Sequence, residues 1–203
     1  ECIVLLQICA ADYLFYTCCT FIRIQFQLLQ RDIEELIPGR EGLNGSGTED
    51  YQSHIARIVR RHQELIRSAD VLEMVYTRST LFNFISSSFV ICLTGFNVTT
   101  ITDVAVVFIF ITFLFMSLLQ IFFLCFFGDS LMQSSIEVSK AVYNSRWYLA
   151  DPRIARDLSI IQLRAQKPCK LTASGFADVN LRAFMTVLSR SWSYFALLKT
   201  MYR

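Results

Sequence analysis

Glycine and proline are scarce in this sequence, with 7 and 3 copies among 203 residues. Because both residues interrupt regular elements, their scarcity favours long helices over turn-rich β structure. Charge is scarce too, since 18% of the residues are charged, against about 25% in a typical soluble domain. The formal net charge of +2 argues against a nucleic-acid partner. The 54% of hydrophobic residues exclude an intrinsically disordered chain.

Cysteine occurs seven times, but without the spacing of a metal site. Six cysteines lie in or beside apolar stretches and the seventh, Cys169, lies in a basic segment; none forms a CxxC pair with nearby histidines. We therefore expect packing residues, and neither a metal nor a cofactor. The sequence has no nucleophile–base pair and no phosphate-binding loop, so we expect no enzymatic activity.

Four apolar stretches lie between the charged segments, and each is a candidate membrane span. The strongest is 104–127, whose 24 residues carry no charge and suffice to cross about 30 Å of hydrocarbon. The other three are predicted at 1–30, 81–101 and 177–203. Arg182 and Arg190 interrupt the last stretch, so its period fits either an amphipathic surface helix or a span that faces water on one side.

Arginine and lysine concentrate in two segments between these spans, 31–80 and 128–182, whereas the connection 95–103 contains neither. Because basic loops stay on the cytoplasmic side, both segments are predicted to be cytoplasmic. The spans then alternate in direction, which leaves the C-terminus outside the cell.

The cytoplasmic segments carry helical patterns of their own. Apolar residues at spacings of three and four predict an amphipathic helix over 49–80 that leads into the second span. Asp151-Pro152 predicts the start of a further helix that runs to about residue 166. We therefore predict an all-α, polytopic membrane protein. Its segments 31–80, a loop with anchor helices, and 128–176, further anchor helices, are predicted to form an intracellular bundle.

Three ordered motifs lie in the last third of the chain. They are FGDSLMQSSIEVSKAVYNSRWY (127–148), RDLSIIQLRAQKPCKLTASGF (156–176) and LSRSWSYFALLKTMYR (188–203). The first is similar to an aromatic-Gly segment followed by A-x-Y-x-S-x-W, and the second to L-x-x-x-x-x-R-x-Q-K-P followed by L-T-A-G. The third resembles an S-Y-S-Y-F-x-L-L ending. Together, in this order, they resemble the insect odorant receptor family.

The resemblance implies a seven-helix membrane protein, of which this chain would be helices four to seven. It also implies a subunit of a tetrameric, ligand-gated, non-selective cation channel, with the last helix lining the pore and the intracellular bundle holding the subunits together. The implied partners are a volatile odorant, permeating cations, the lipid bilayer and the shared odorant co-receptor. The implied location is the plasma membrane of the olfactory neuron dendrite.

Departures from the co-receptor pattern refine this expectation. The tail SYFALLKTMYR is less aliphatic than the ending of the co-receptor, and 31–50 lacks its long insertion. The chain therefore resembles a tuning subunit that needs the co-receptor. Ala173-Ser174-Gly175 replaces the usual Ala-Gly pair, a change that we expect to be neutral.

Candidate pore residues lie on one face of the last helix, and the hydrophobic gate of the family aligns with Leu197. The predicted pore and gate residues are Arg190, Tyr194, Leu197, Thr200 and Met201. A mixed polar face that narrows to an apolar ring suits a pore that closes by dewetting. For Arg190, which is awkward beside a cation pathway, the alternative is snorkelling or pairing within the bundle.

An odorant pocket needs an apolar, aromatic lining with few polar contacts. Depth in the membrane nominates Cys9, Tyr13, Tyr16, Phe110, Phe113 and Met116, with Asp12 nearby. The alternative is plain packing, the common role of aromatic residues at helical spacing. Subunit anchoring is assigned to Tyr143, Trp147, Arg164 and Lys167, although Trp147 fits intrachain packing equally well.

Two other functional classes remain as alternatives. A metabotropic seven-helix chemoreceptor that couples to a G protein would need its C-terminus inside the cell, against the distribution of basic residues. A secondary transporter would need helices broken by glycine or proline at mid-membrane, and 104–127 contains neither residue. An odorant-gated channel subunit is therefore the favoured interpretation.

Overall fold

Long helices dominate the computed structural model, which describes residues 2–37, 48–100 and 103–201. In chain order the helices are α1 (Cys2–Glu34), α2 (Thr48–Thr100), α3 (Val104–Asn144), α4 (Pro152–Ala165) and α5 (Leu181–Met201). A short 3-10 turn, Trp147–Leu149, precedes α4. Within the described ranges, strand-like pairing is limited to one isolated bridge between Thr172 and Asp178. The predicted all-α class is therefore confirmed.

Two of the helices contain both a polar and an apolar segment. Helix α2 has 53 residues and contains both the predicted amphipathic helix and the second predicted span without a break. Helix α3 has 41 residues and continues well beyond residue 127, where the uncharged stretch ends. Among the described residues, the helical stretches Gln52–Val98 and Val104–Leu149 are long and apolar enough to cross a bilayer, with mean hydropathies of 1.6 and 2.6 in their most apolar parts.

The chain forms two compact units, and α1, α2 and α3 contribute residues to both. The first, which we call the span unit, comprises Glu1–Asp12, Met74–Asp129 and Leu171–Arg203. The second, which we call the bundle unit, comprises Tyr13–Glu73 and Ser130–Lys170. The uncharged stretch of α3 thus lies in the span unit, and most of the predicted anchor segments lie in the bundle unit.

One buried stripe on each helix forms the core of the bundle unit. The stripe of α1 consists of Phe15, Cys19, Ile22, Phe26, Leu29 and Ile33. The stripe of α4 consists of Ile154, Leu158, Ile161 and Ala165. Because these residues recur at spacings of three and four, each helix buries one face. From Tyr13 onwards α1 belongs to this unit, and the assignment of 1–30 as a membrane span stays a prediction.

Polar side chains tie α1 to its neighbours inside the bundle unit. The Arg61 guanidinium donates to the Asp32 carboxylate at 2.7 Å and to the Gln25 side-chain oxygen at 2.9 Å. The Gln30 amide donates to the Ser134 carbonyl of α3 at 2.8 Å. These directional bonds fix the register of α1 against α2 and α3, which apolar packing alone specifies weakly.

Helix ends in the second half of the chain follow local signals. The Asp151 carboxylate accepts the Arg153 backbone N–H at 3.3 Å, and Pro152 occupies the first turn of α4. This start agrees with the Asp-Pro signal. Helix α5 begins at Leu181, later than the predicted start of the last span at residue 177, because the residues before it form a tight hairpin instead.

Candidate functional site

Helix α5 packs through one face only. The residues that are buried or half-buried recur at spacings of three and four: Phe184, Val187, Leu188, Ser191 and Phe195. The ring of Phe184 meets Phe122 of α3 edge-on, with 5.5 Å between centroids. Phe195 lies against α2 at Gly95, where an added Cβ would be 3.5 Å from the aromatic ring. Helix α5 is therefore packed against α2 and α3 within the span unit.

The opposite face of α5 is exposed and mostly polar. Arg190, Tyr194, Leu197 and Thr200, which were predicted to face the pore, are all exposed, and the exposed fraction of Leu197 is 58%. Thr186, Ser193 and Thr200 each donate their hydroxyl to the carbonyl four residues earlier. Arg190 forms no ion pair with any residue that the structure describes. The side chain of Met201 lies outside the described residues.

A hairpin, residues 171–180, leads directly into α5. Its two arms are joined by the Val179 N–H, which donates to the Leu171 carbonyl at 2.8 Å, and by the Ala173 N–H, which donates to the Ala177 carbonyl at 2.8 Å. Ser174 and Gly175 turn the chain with φ angles of 53° and 75°. These are left-handed conformations, which glycine adopts easily and serine does not.

The hairpin docks on both neighbouring helices of the span unit. The Thr77 hydroxyl of α2 donates to the Thr172 carbonyl at 3.0 Å and accepts the Ser174 N–H at 2.7 Å. On α3, a Cβ added to Gly128 would lie 2.5 Å from the Val179 carbonyl oxygen. Only glycine permits this approach, because any larger side chain would meet backbone rather than a flexible side chain. These contacts were not predicted from the sequence.

A second polar cluster joins the apolar segments of α1, α2 and α3. The Gln120 amide donates to one carboxylate oxygen of Asp12 at 2.6 Å, and the Asn83 amide approaches the other at 3.5 Å. The sequence analysis noted Asp12 but missed the two amides. Their signal was available, since a polar residue in an apolar span commonly faces a partner rather than lipid.

Comparison with known proteins accounts for this architecture. A family model described as the 7tm odorant receptor matches residues 2–191. The chain belongs to this family. Odorant receptor 67c of Drosophila melanogaster is 30% identical over 192 residues, which cover 95% of this chain and 46% of that receptor. Odorant receptor 85b of the same species is 34% identical over 193 residues, which cover 95% and 48%.

The fold agrees with that of a solved odorant receptor. The insect olfactory receptor OR5 from Machilis hrabei superimposes with a TM-score of 0.80 at 23% sequence identity, over 94% of this chain and 48% of that one. The chain thus spans about half the length of the relatives it matches. These findings confirm the family resemblance drawn from the three motifs, and they confirm a multi-pass membrane protein.

The residues nominated for an odorant pocket lie in different environments. Tyr13 is 73% exposed, and Tyr16 is half-buried in the bundle unit. In the span unit, Phe113 and Met116 are exposed and Phe110 is half-buried. The side chain of Cys9 lies outside the described residues. As an odorant site in this receptor, the set stays a prediction.

A groove of about 700 Å³ lies in the bundle unit, between the first turns of α2 and helix α4. Ile55, Val59, Ile66, Ile160 and Ile161 give it an apolar floor, and Arg60, Asp157 and Arg164 stand among its polar residues. The other three predicted anchor residues, Tyr143, Trp147 and Lys167, are also exposed. All four are therefore exposed on the bundle unit, and their role in subunit contact stays a prediction.

The histidine at the wall of this groove, His62, is a packing residue. His62 is 5% exposed, and its ring meets Phe26 edge-on with 6.3 Å between centroids. Burial, and to a smaller extent the positive charge of Arg164, lower the pKa of His62 from 6.5 to about 4. The ring is therefore neutral at pH 7.

Proposed function

We propose that this chain belongs to the tuning subunit of an odorant-gated, non-selective cation channel that assembles with the shared odorant co-receptor. The observation that carries the proposal is the two-faced character of α5. One face packs on α2 and α3, while the other is exposed and carries serine and threonine hydroxyls above Leu197. Such a face suits water rather than lipid, and a helix of this kind can line a pore that subunits share.

Gating follows from the order of residues along that exposed face. Hydroxyls at Thr186 and Ser193 lead to the apolar side chain of Leu197, which would form a ring when subunits assemble. A narrow apolar ring excludes water and therefore ions, so a small outward movement of α5 opens the path. Thr200 and Met201 follow Leu197 towards the outer mouth. Arg190 adds positive charge to the path, which reduces the local concentration of cations.

Odorant binding supplies the energy for opening. An apolar volatile molecule would bind on surfaces that the remaining part of the receptor completes. The candidate contacts are Cys9, Phe110, Phe113 and Met116 in the span unit and, as separate candidates, Tyr13 and Tyr16 in the bundle unit. The ligand shifts the closed–open equilibrium only by the difference in its affinity for the two states. A ligand that binds the closed and the open state with equal affinity would leave the channel closed.

Assembly would use the bundle unit. Tyr143, Trp147, Arg164 and Lys167 are exposed there, and the groove beside Arg164 offers apolar area to a neighbouring chain. Aromatic and arginine residues are enriched at protein interfaces. The assembled receptor would be a heterotetramer in the plasma membrane of the sensory dendrite.

The decisive experiment is whole-cell recording from cells that express the receptor containing this chain, with and without the co-receptor, under G-protein blockade. A panel of volatile alcohols, esters, aldehydes and phenols is applied. A fast, reversible cation current that needs both subunits is expected. A response that needs a G protein, or that appears only as a second-messenger change, would establish the metabotropic alternative instead.

The gate has its own test in the same cells. Replacing Leu197 by Ala widens the apolar ring, so we expect a severalfold larger basal current without odorant. Met185→Ala is the matched control, because Met185 is 63% exposed on α5 but lies to the side of the face that carries Leu197. Equal basal currents in the two variants would remove Leu197 from the gate.

A further inference from the structure

The hydroxyl of Thr77 bonds to the hairpin in both directions. It donates to the Thr172 carbonyl at 3.0 Å and accepts the Ser174 N–H at 2.7 Å. Threonines in helices commonly bond only to their own backbone, and Thr80, one turn later on α2, does so by donating to the Tyr76 carbonyl. Thr77 instead bonds to two residues that lie 95 and 97 positions later in the sequence.

The hairpin behaves as a rigid piece because it is closed internally and buried on one side. Leu171, Ala173 and Val179 are 4%, 0% and 3% exposed. The bond from the Val179 N–H to the Leu171 carbonyl closes its base, and the approach of Val179 to Gly128 seats that base on α3. Ser174 holds a left-handed conformation at the point where it meets Thr77.

No linker separates the hairpin from the first turn of α5. Asn180 follows Val179 directly, and its side-chain oxygen accepts the Ala183 N–H at 2.9 Å. The Asn180 carbonyl also accepts the Phe184 N–H at 3.3 Å, so α5 starts on the residue that leaves the hairpin. A displacement of α2 at Thr77 must therefore move the beginning of α5 as well, provided that the Thr77 bonds hold.

We propose that Thr77 is a positioning residue for the pore helix: its hydroxyl couples α2 to α5 through the hairpin and so sets how much odorant is needed to open the channel. The inference rests on the proposed function of α5 as the pore helix. It adds a residue that lies on a different helix from the gate and 120 positions before Leu197. Thr77 acts through Ser174 and Asn180 and does not itself face the permeating ions.

Substitution of the hydroxyl alone tests the coupling. Thr77→Val keeps the branched shape and removes both bonds, whereas Thr77→Ser keeps the hydroxyl and removes a methyl group. Thr80→Val is the matched control, because it makes the same change on the same helix where the hydroxyl bonds only within α2. Concentration–response curves are recorded with the panel odorant that gives the largest current, and currents are normalised to receptor labelled at the cell surface.

We expect Thr77→Val to raise the half-maximal odorant concentration about fivefold or more and to lower the maximal current per surface receptor. Thr77→Ser and Thr80→Val should both match the unmodified receptor. A Thr77→Val receptor with unchanged sensitivity and maximal current overturns the inference, while the odorant current of the unmodified receptor still supports the channel. Absence of any current from the unmodified receptor refutes the channel itself.

Folding failure is separated from loss of coupling by a second variant. Thr77→Ala removes the same hydroxyl without placing a second methyl group in its position, and it is judged by the same criteria. If neither Thr77→Val nor Thr77→Ala reaches the surface while Thr77→Ser does, the hydroxyl serves folding and the positioning role is overturned. Reduced sensitivity of Thr77→Ala, restored in Thr77→Ser, supports it.

Discussion

The contacts inside the bundle unit differ in kind from the contacts inside the span unit. In the bundle unit, α1 and α4 each bury one continuous apolar stripe. In the span unit, only 6% of the apolar window of α3 is buried within the chain. There the helices meet at Gly95, at Gly128 and at short polar bonds. Lipid is as apolar as leucine, so burial of leucine gives the span unit little stability.

This comparison predicts that the largest loss of stability follows the removal of a buried aromatic ring from the bundle unit. Phe26 is 0% exposed on α1 and touches His62, so Phe26→Ala should cost about 3–5 kcal/mol through lost burial and an unfilled cavity. Phe21 is 62% exposed on the same helix, and Phe21→Ala should change little. Thermal unfolding of the two purified receptors in detergent measures the difference. Equal melting temperatures would contradict a bundle held by apolar burial.

Acid should weaken the bundle unit through His62. The pKa of His62 is about 4 in the folded chain, below the ordinary value of 6.5 for a solvated imidazole, so the folded state binds the proton less readily. Stability is therefore complete above about pH 6.5 and falls as the pH drops towards 4, by up to about 3 kcal/mol. Unfolding is followed from pH 7.5 to 4.5.

Carboxylates titrate in the same pH range, so the control is a variant that lacks only the imidazole. His62→Phe retains an aromatic ring against Phe26 and cannot take up a proton. The unmodified receptor should lose more stability than His62→Phe over this range. Parallel pH profiles would mean that His62 is solvated rather than buried.

Close approach, rather than burial, should limit substitutions in the span unit. An alanine Cβ at Gly128 would lie 2.5 Å from the Val179 carbonyl, so Gly128→Ala should cost about 1–3 kcal/mol although alanine favours helix. Gly95→Ala is the matched control, since its Cβ would meet Phe195 at an ordinary 3.5 Å. Surface expression and melting temperature measure both. A Gly128→Ala receptor as stable as Gly95→Ala would show that the hairpin does not rest on α3.

Local patterns predicted the helices but not the way they associate. The uncharged run of α3, the Asp151-Pro152 start of α4 and the turn at Ser174-Gly175 follow from short-range chemistry, and the structure has each of them. Which residues α1 buries did not follow, because a spacing of three and four suits a helix that faces lipid and a helix buried in a bundle equally well. The structure buries Phe15 and Phe26 of α1.

The contacts that define the candidate site join residues far apart in the chain. Thr77 meets Ser174, and Asp12 meets Gln120, across separations of 97 and 108 residues. A single sequence records no such pairing. The sequence also predicted no contact for Ser174, and the change from the usual Ala-Gly pair was expected to be neutral. Ser174 bonds to Thr77 through its backbone N–H at 2.7 Å, which glycine would also supply, and through its hydroxyl, which donates to the Thr77 carbonyl at 3.5 Å and which glycine lacks.

The smallest effect is expected at the Asp12–Gln120 bond of the span unit. Gln120→Leu removes the 2.6 Å bond from the amide but leaves an apolar side chain that suits the surroundings of α3. Hydrogen bonds between membrane helices contribute on average about 0.6 kcal/mol, so the melting temperature should fall only slightly. Gln133→Leu, on an exposed part of α3 in the bundle unit, is the control and should have no effect. A loss as large as that of Phe26→Ala would mean that the polar cluster, not close packing, holds α1 in the span unit.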